Sequence, residues 1–336
     1  MMVCLRALVA IALLVAATPA AAADVPVLRI ATVAPEGTSW ARELRAWARD
    51  TEQIAGGKVR IKIYFGGIAG AEDVVLDRIR REQLDGAIGS ELCTRLAPSM
   101  RVARVVGVFQ TRDENSYVLS RLKPQLDAEF LKAGFINLGE AGLGSELLFT
   151  RVPVPDFEAL KRLRMWVWDS DAVLPPQVKA MGLTVVQTPL EQAGRAFEAG
   201  KFDGFLTIPT AALAFQWTTQ VRVVTALRMS FRSGCLIVAT HAFDALAAET
   251  QRAMRSVVGK LNQRIEVIGR REDDALLGGL LAKQGVQSVE PSERLRSEFL
   301  DAALRVRSTT QIVPPEVLQQ VLSWLADYRA EHGRVR

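Results

Sequence analysis

The chain has 336 residues, 49% of them hydrophobic and 24% charged. That is longer than a single core of about 100–200 residues and too balanced for a disordered or fibrous protein. Its net charge of +5 is spread along the sequence and not gathered into a Lys/Arg stripe with interleaved aromatics, so nucleic acid is not an expected partner.

In chain order, a basic start (1–6), an apolar run (7–17) and Ala21-Ala22-Ala23 predict an export leader over 1–23, cleaved near Ala23. The run is too short to span a bilayer. Cys4 precedes it and is not placed for lipid modification. The mature chain is expected to be periplasmic. Next comes a unit that occurs twice. The first copy is a strand LRIATVA (28–34), a helix to about 54, a strand KVRIKIYF (58–65), a helix through 84 and DGAIGS (85–90). The second is LRMWVW (163–168), a helix to about 181, LTVVQ (183–187), a helix through 200 and DGFLTI (203–208). Alternating strands and helices predict an α/β fold with a largely parallel sheet covered on both faces, and ligands bind off the carboxyl ends of such strands. Two such lobes predict a cleft between them. Strands at 221–227 and 235–240 follow, then a proline-free stretch over 242–284 that suits a very long helix, and helices at 293–307 and 315–332. The last is opened by Pro314 and Pro315.

The residues for catalysis are sparse. His241 and His332 are the only histidines, and no HExxH, CxxC, GxxxxGK[ST] or GxSxG motif occurs. GEAGLG (139–144) has the wrong glycine spacing for a dinucleotide loop and reads as a chain crossing between lobes. No enzyme activity, cofactor or metal is expected. Cys93 and Cys235 would be exported, where a disulfide is permitted. Their placement, one after the third strand of the first unit and one beyond the second unit, instead suggests buried free thiols.

The motifs APEGTSW (34–40), GGKVRIKIYFGG (56–67), QLDGAIGS (83–90), PDFEALKRLRMWV (155–167) and AGKFDG (199–204) together resemble the solute-binding proteins of tripartite ATP-independent periplasmic (TRAP) transporters, DctP type. The resemblance covers nearly the whole mature chain. It implies a two-lobed periplasmic binding protein fold, with a long helix spanning both lobes. It also implies capture of a small-molecule solute for delivery to ion-gradient-driven TRAP membrane permease subunits. Lobe I is expected over 24–145 plus about 232–270, and lobe II over 146–231 plus about 271–336.

One departure from the family pattern bears on specificity. Typical members hold a carboxylate with an arginine after a Lys-Gly-Leu turn, because a guanidinium fork meets a carboxylate through two charge-assisted hydrogen bonds. Aligned on Lys161-Arg162-Leu163, that position is Trp166, and a second family arginine falls on Glu146. An aromatic pocket is therefore expected, with Trp166, Trp168, Trp40, Phe205 and Trp217 at the cleft and Glu146 as its acid. It suits an apolar, amphiphilic or cationic solute. Trp40 and Trp217 stand equally as core residues. Ser90, Glu91, Thr207 and Pro209 follow the third strands of the two units and are further candidates, each also readable as a cap or turn residue. Two alternatives remain. One is an organic-acid receptor with a displaced clamp from Arg164, Arg228 or Arg232. The other is a ligand-sensing protein without a permease.

Overall fold

A computed structural model describes residues 25–309 and 311–333; the expected leader lies outside them. The first unit runs β1 (Val27–Thr32), α1 (Ser39–Ile54), β2 (Arg60–Tyr64), α2 (Glu72–Arg80) and β3 (Gly86–Gly89). It continues into α3 (Glu91–Leu96), a 3-10 turn (Pro98–Arg104) and α4 (Arg112–Lys132). A 16-residue strand, β4 (Phe135–Thr150), leads to α5 (Phe157–Lys161), β5 (Arg164–Trp168), α6 (Leu174–Ala180), β6 (Thr184–Thr188), α7 (Leu190–Glu198), β7 (Gly204–Thr207) and α8 (Pro209–Ala214). The chain returns through β8 (Val223–Ala239), α9 (Thr240–Asp244), α10 (Ala248–Ala275), a π turn (Leu276–Leu280) and α11 (Leu281–Lys283). It closes with β9 (Gln287–Val289), α12 (Glu293–Thr309) and α13 (Pro315–His332).

The strands lie in the order β2-β1-β3-β8-β4-β7-β5-β6, with β9 beside β8. Pairing is parallel within each repeat, β1 with β2 and β3, and β5 with β6 and β7. The centre is antiparallel: β8 pairs with β3 and β4, and β4 with β7. The two strands expected at 221–227 and 235–240 are thus one, β8, and GEAGLG lies inside β4 where the β4/β8 register shifts. These paired strands run from Phe135 opposite Ala239 to Thr150 opposite Val223, so both lobes are built on the same two strands.

The Leu-Arg and Asp-Gly of each repeat form one local device. Asp85 accepts from the Arg29 backbone N–H at 2.7 Å and from its guanidinium at 2.8 Å. Asp203 does the same for Arg164, at 2.9 Å from the backbone and 3.0 and 2.8 Å from the side chain. Each pair pins the start of one strand to the start of its parallel neighbour. The glycine that follows lets the antiparallel strand approach: a Cβ on Gly86 would lie 2.4 Å from the Ile237 carbonyl oxygen, and one on Gly204 2.4 Å from that of Phe149.

Helices cover both faces of each lobe. In α1, Thr38 caps the first turn by accepting from Ala41 N–H at 3.2 Å, and Ala41, Leu44, Trp47 and Ala48 form its buried stripe. That stripe meets Met254, Val258 and Leu261 of α10. The 28-residue α10, about 42 Å long at 1.5 Å per residue, packs on α1 and β4 and reaches α8 of the second lobe. The helical stretch expected over 242–284, with possible breaks, is interrupted after Ala275 by the π turn, in which Gly279 has φ +135°. The allotment of residues 271–336 to lobe II needs one correction. Val317, Val321 and Leu325 of α13 pack with Leu122 and Phe130 of α4 in the first lobe, while Phe299 and Val306 of α12 pack with second-lobe residues.

Cys93 and Cys235, expected as free thiols, form a disulfide. The pairing of β3 with β8 places Cys235 opposite Gly89, and Cys93 lies one helical turn beyond Gly89.

Candidate functional site

A cavity of about 160 Å³ lies between the lobes, off the carboxyl ends of β1, β3, β5 and β7, where the repeat predicts a ligand. The first lobe contributes Trp40, Glu72, Ser90 and Arg232, and the second Trp166, Trp168, Thr207 and Trp217. Trp166 and Trp168 face it together because they are two residues apart on one strand.

The aromatic wall is a packed unit. Trp166 meets Trp217 edge-on at 4.8 Å between centroids, and Trp217 stacks on Phe215 at 5.3 Å. The Trp166 indole N–H donates to the Thr188 hydroxyl at 2.8 Å, so Trp166 offers its ring and not its donor. Trp40 is half-buried and its indole N–H lacks a hydrogen-bond partner. Phe205, expected in the cleft, lies behind this wall, where it stacks on Phe149 and lines a void of about 10 Å³ with Trp166 and Trp217. Pro209 opens α8 and is buried away from the cavity.

A charged cluster lies behind the opposite wall, which its Arg232 lines. Arg104, 1% exposed, pairs with Glu91 at 3.0 Å, Glu146 at 2.9 Å and Asp171 at 2.5 Å. Arg232 pairs with Glu91, reaches Glu146 at 2.7 Å and lies 3.7 Å from Asp171. It also donates to the Ser90 hydroxyl at 3.1 Å. Glu146 accepts from the Ser230 hydroxyl as well. Burial would raise the Glu146 and Asp171 carboxyls, but the Arg104 and Arg232 charges outweigh it and hold both below the usual carboxylate range. Glu146 is therefore not the free acid of the cleft, a correction to the expectation, and Glu91 is likewise spent inside the cluster. Burial pushes Glu72 the other way, to about 7, because it has only the N–H groups of Ser90 and Leu92, with the distant Arg232 charge set against that of Glu91.

The displaced-clamp candidates separate cleanly. The Arg164 fork is held by Asp203 at the far end of β5, and Arg228 is exposed and outside the cavity wall. Among the described residues lining the cavity, Arg232 is the one arginine.

Sequence reasoning did not single out Glu72, Arg104, Asp171 or Gln177. The Gln177 side chain, in α6, accepts from Val106 N–H at 3.0 Å and donates to the Arg104 carbonyl at 2.9 Å. The only sequence signal for the cluster is an excess of acids following third strands and strand ends. Its partners are separated by 13 to 141 residues.

The model of bacterial extracellular solute-binding protein, family 7 (DctP), matches residues 30–310. The chain belongs to this family. Members are solute receptors and not enzymes, and no helix among the described residues is long and apolar enough to cross a membrane. Similar structures include a TRAP periplasmic solute-binding protein from Haemophilus influenzae with bound L-gulonate. It is 17% identical, covering 88% of this chain and 98% of that one, with a TM-score of 0.81. The Bordetella pertussis extracytoplasmic solute receptor DctP7, which binds pyroglutamic acid, has the same identity, coverage and TM-score. A Citrobacter koseri TRAP protein with bound D-glucuronate is 20% identical over 90% of this chain and 99% of that one, at TM-score 0.79. No curated protein matches the sequence. The protein is an extracytoplasmic TRAP-type solute-binding protein with a two-lobed α/β fold.

For this DctP protein the aromatic wall has a direct test. Trp166→Ala opens a hole in a packed cluster and is expected to cost about 3–5 kcal/mol of stability, measured by thermal melting. Trp40→Ala, at a half-buried position, is expected to keep the melting temperature and to weaken solute binding more than tenfold. Unchanged affinity in Trp40→Ala would remove the indole from the binding wall.

Proposed function

We propose that this protein is the receptor for an amphiphilic organic acid with a compact apolar body, which it delivers to a TRAP permease. The observation that carries this reading is Arg232, the one arginine among the described residues that line a mainly aromatic and aliphatic cavity. With Trp166 where the family arginine is expected, the guanidinium that meets the carboxylate comes from β8, a displaced clamp. Its Nη2 contact to Asp171 is long, at 3.7 Å, and is the one a solute oxygen would replace. The cavity of about 160 Å³ resembles in size the apolar cavity of ~150 Å³ that holds benzene, which fits a body of one ring or a short branched chain. The relatives with L-gulonate, pyroglutamic acid and D-glucuronate support the acid, and the Trp cluster supports the apolar body.

Function then follows from geometry. The solute touches Arg232 and Ser90 on one lobe and Trp166, Trp168 and Trp217 on the other, so it favours the closed state by its differential contacts. The lobes are 24–145 with 232–270, and 146–231 with 271–309, α13 riding on the first; residues 1–23 direct export and are removed in the process.

A second reading, an amine solute, is favoured by Glu72, the one acidic residue among the described residues that line the cavity. One experiment separates them. The protein is purified from the periplasm without refolding, and what it releases is identified by mass spectrometry against unfolded protein. A carboxylic acid is expected; an amine would replace this reading with the second, and a neutral compound would overturn both. Arg232→Lys is expected to lower acid affinity more than tenfold, since an ammonium cannot form the fork, with calorimetry as the measurement.

A further inference from the structure

Glu72 and Arg232 line the cavity, and the carboxyls of Glu91, Glu146 and Asp171 lie with the Arg104 guanidinium behind Arg232, so an entering carboxylate adds negative charge where four carboxyls already stand against two guanidiniums. Three of those carboxyls are committed. Glu91 and Glu146 are shared between Arg104 and Arg232, and Asp171 is held by Arg104 and by the N–H groups of Val173 and Leu174, each at 2.9 Å. Glu72 is different. It is 3% exposed and lines the cavity, and among the described residues no ion pair reaches it. Its Oε2 accepts from Leu92 N–H at 2.6 Å and its Oε1 from Ser90 N–H at 3.0 Å. The space it occupies is built: a Cβ on Gly89 would lie 2.6 Å from Oε1. The charged groups that face it are Glu91 of α3 and Arg232 of β8.

We propose that Glu72 is a proton-accepting specificity residue, and that this cleft binds an organic anion together with one proton that comes to rest on Glu72. The inference rests on the organic-acid reading above. When a solute carboxylate engages Arg232, which Glu91 and Glu146 already pair, a further negative charge arrives beside Glu72 and favours its protonated carboxyl. Protonated at Oε1, Glu72 keeps Oε2 as the acceptor for Leu92 N–H and gains a donor toward the cavity. No bond other than O–H is made, and the proton comes from water.

The sign follows from linkage. Burial already lifts free Glu72 to about 7, so below pH 6 the proton is present before binding and affinity is flat. Above pH 7 it must be taken up, and affinity falls by up to tenfold per pH unit. Asp273 is also lifted by burial, to about 6. It pairs with Arg112 and lies outside the cavity wall, so a variant must separate the two.

The test is calorimetry on the natively purified protein with phenylacetate and benzoate as probes and phenylacetamide as the uncharged control, from pH 5.5 to 8.5 in buffers of differing ionisation enthalpy. Uptake of about one proton per acid bound at pH 8 is expected, with affinity at least tenfold weaker at pH 8.5 than at pH 6. The amide is expected to show neither effect. Glu72→Gln, which carries the neutral shape, is expected to bind the acids at pH 8.5 as it does at pH 6, with its fold checked by thermal melting. Acid binding without proton uptake by the wild type, or with the same pH slope in Glu72→Gln, overturns this inference and leaves the organic-acid reading standing. Binding of neither acid at any pH overturns both.

Discussion

Replacing Arg104 by Met is expected to destabilise the protein by about 3–5 kcal/mol at pH 7, a fall in melting temperature of roughly 10 °C. The reason is the number of charges that one side chain satisfies. Arg104 is 1% exposed and is the common partner of Glu91 in the first lobe, Glu146 at the crossing strand and Asp171 in the second lobe. Without it, three buried carboxylates share Arg232 alone, and an uncompensated buried charge costs far more than the pair contributes when intact. The pH dependence gives a second reading of the same change. In the wild type, Glu146 and Asp171 are depressed, so their contribution is full above the unfolded carboxylate values and is lost as pH falls through the folded ones. In Arg104→Met both are raised, and the contribution reverses: stability falls as pH rises. The gap between the two melting temperatures is therefore expected to narrow from pH 7 to pH 4. An unchanged melt at pH 7 would show that the cluster is not held by Arg104.

Reduction of the Cys93–Cys235 bridge, or Cys93→Ala with Cys235→Ala, is expected to cost about 4–5 kcal/mol. The bridge joins residues 142 apart in sequence, and the loop-closure entropy it removes from the unfolded chain grows with that separation. Alkylation of the unreduced protein in denaturant, where buried thiols are exposed, followed by mass spectrometry is the first check: neither cysteine is expected to react. Melting with and without reductant is the second. The effect reaches the site because Cys235 lines the cavity three residues from Arg232 on β8. Loss of the bridge loosens α3, which carries Glu91, against that strand. Two reactive thiols in the unreduced protein, or equal melting temperatures, would exclude the bridge as a structural element.

Several features of this fold were readable from the sequence because they are local. The period of the strands and helices and the paired Leu-Arg and Asp-Gly signals each depend on a few neighbouring residues, and the same dipeptides make the same contacts twice. The cleft position was also readable, since it follows from where parallel strands end, and Trp40, Ser90, Trp166, Trp168, Thr207, Trp217 and Arg232 all line it. Alternation along β5 was enough to bring two of the tryptophans to one side.

What the sequence could not decide was which polar groups are left over. Arg164 and Arg232 are the same residue type on strands of similar pattern. One is consumed by Asp203, which lies 39 residues away, and the other faces the cavity only because β8 runs antiparallel between β3 and β4. Glu146 looked free and is saturated, while Glu72 looked like an ordinary first-turn helix acid and is buried at the cavity. The disulfide was missed for the same cause, since Cys93 meets Cys235 only through that central pairing. Secondary structure is set by contacts a few residues apart. The charge state and availability of a buried group are set by partners 13 to 142 residues away, and the most distant of those are chosen by the crossing of β4 and β8 that joins the lobes.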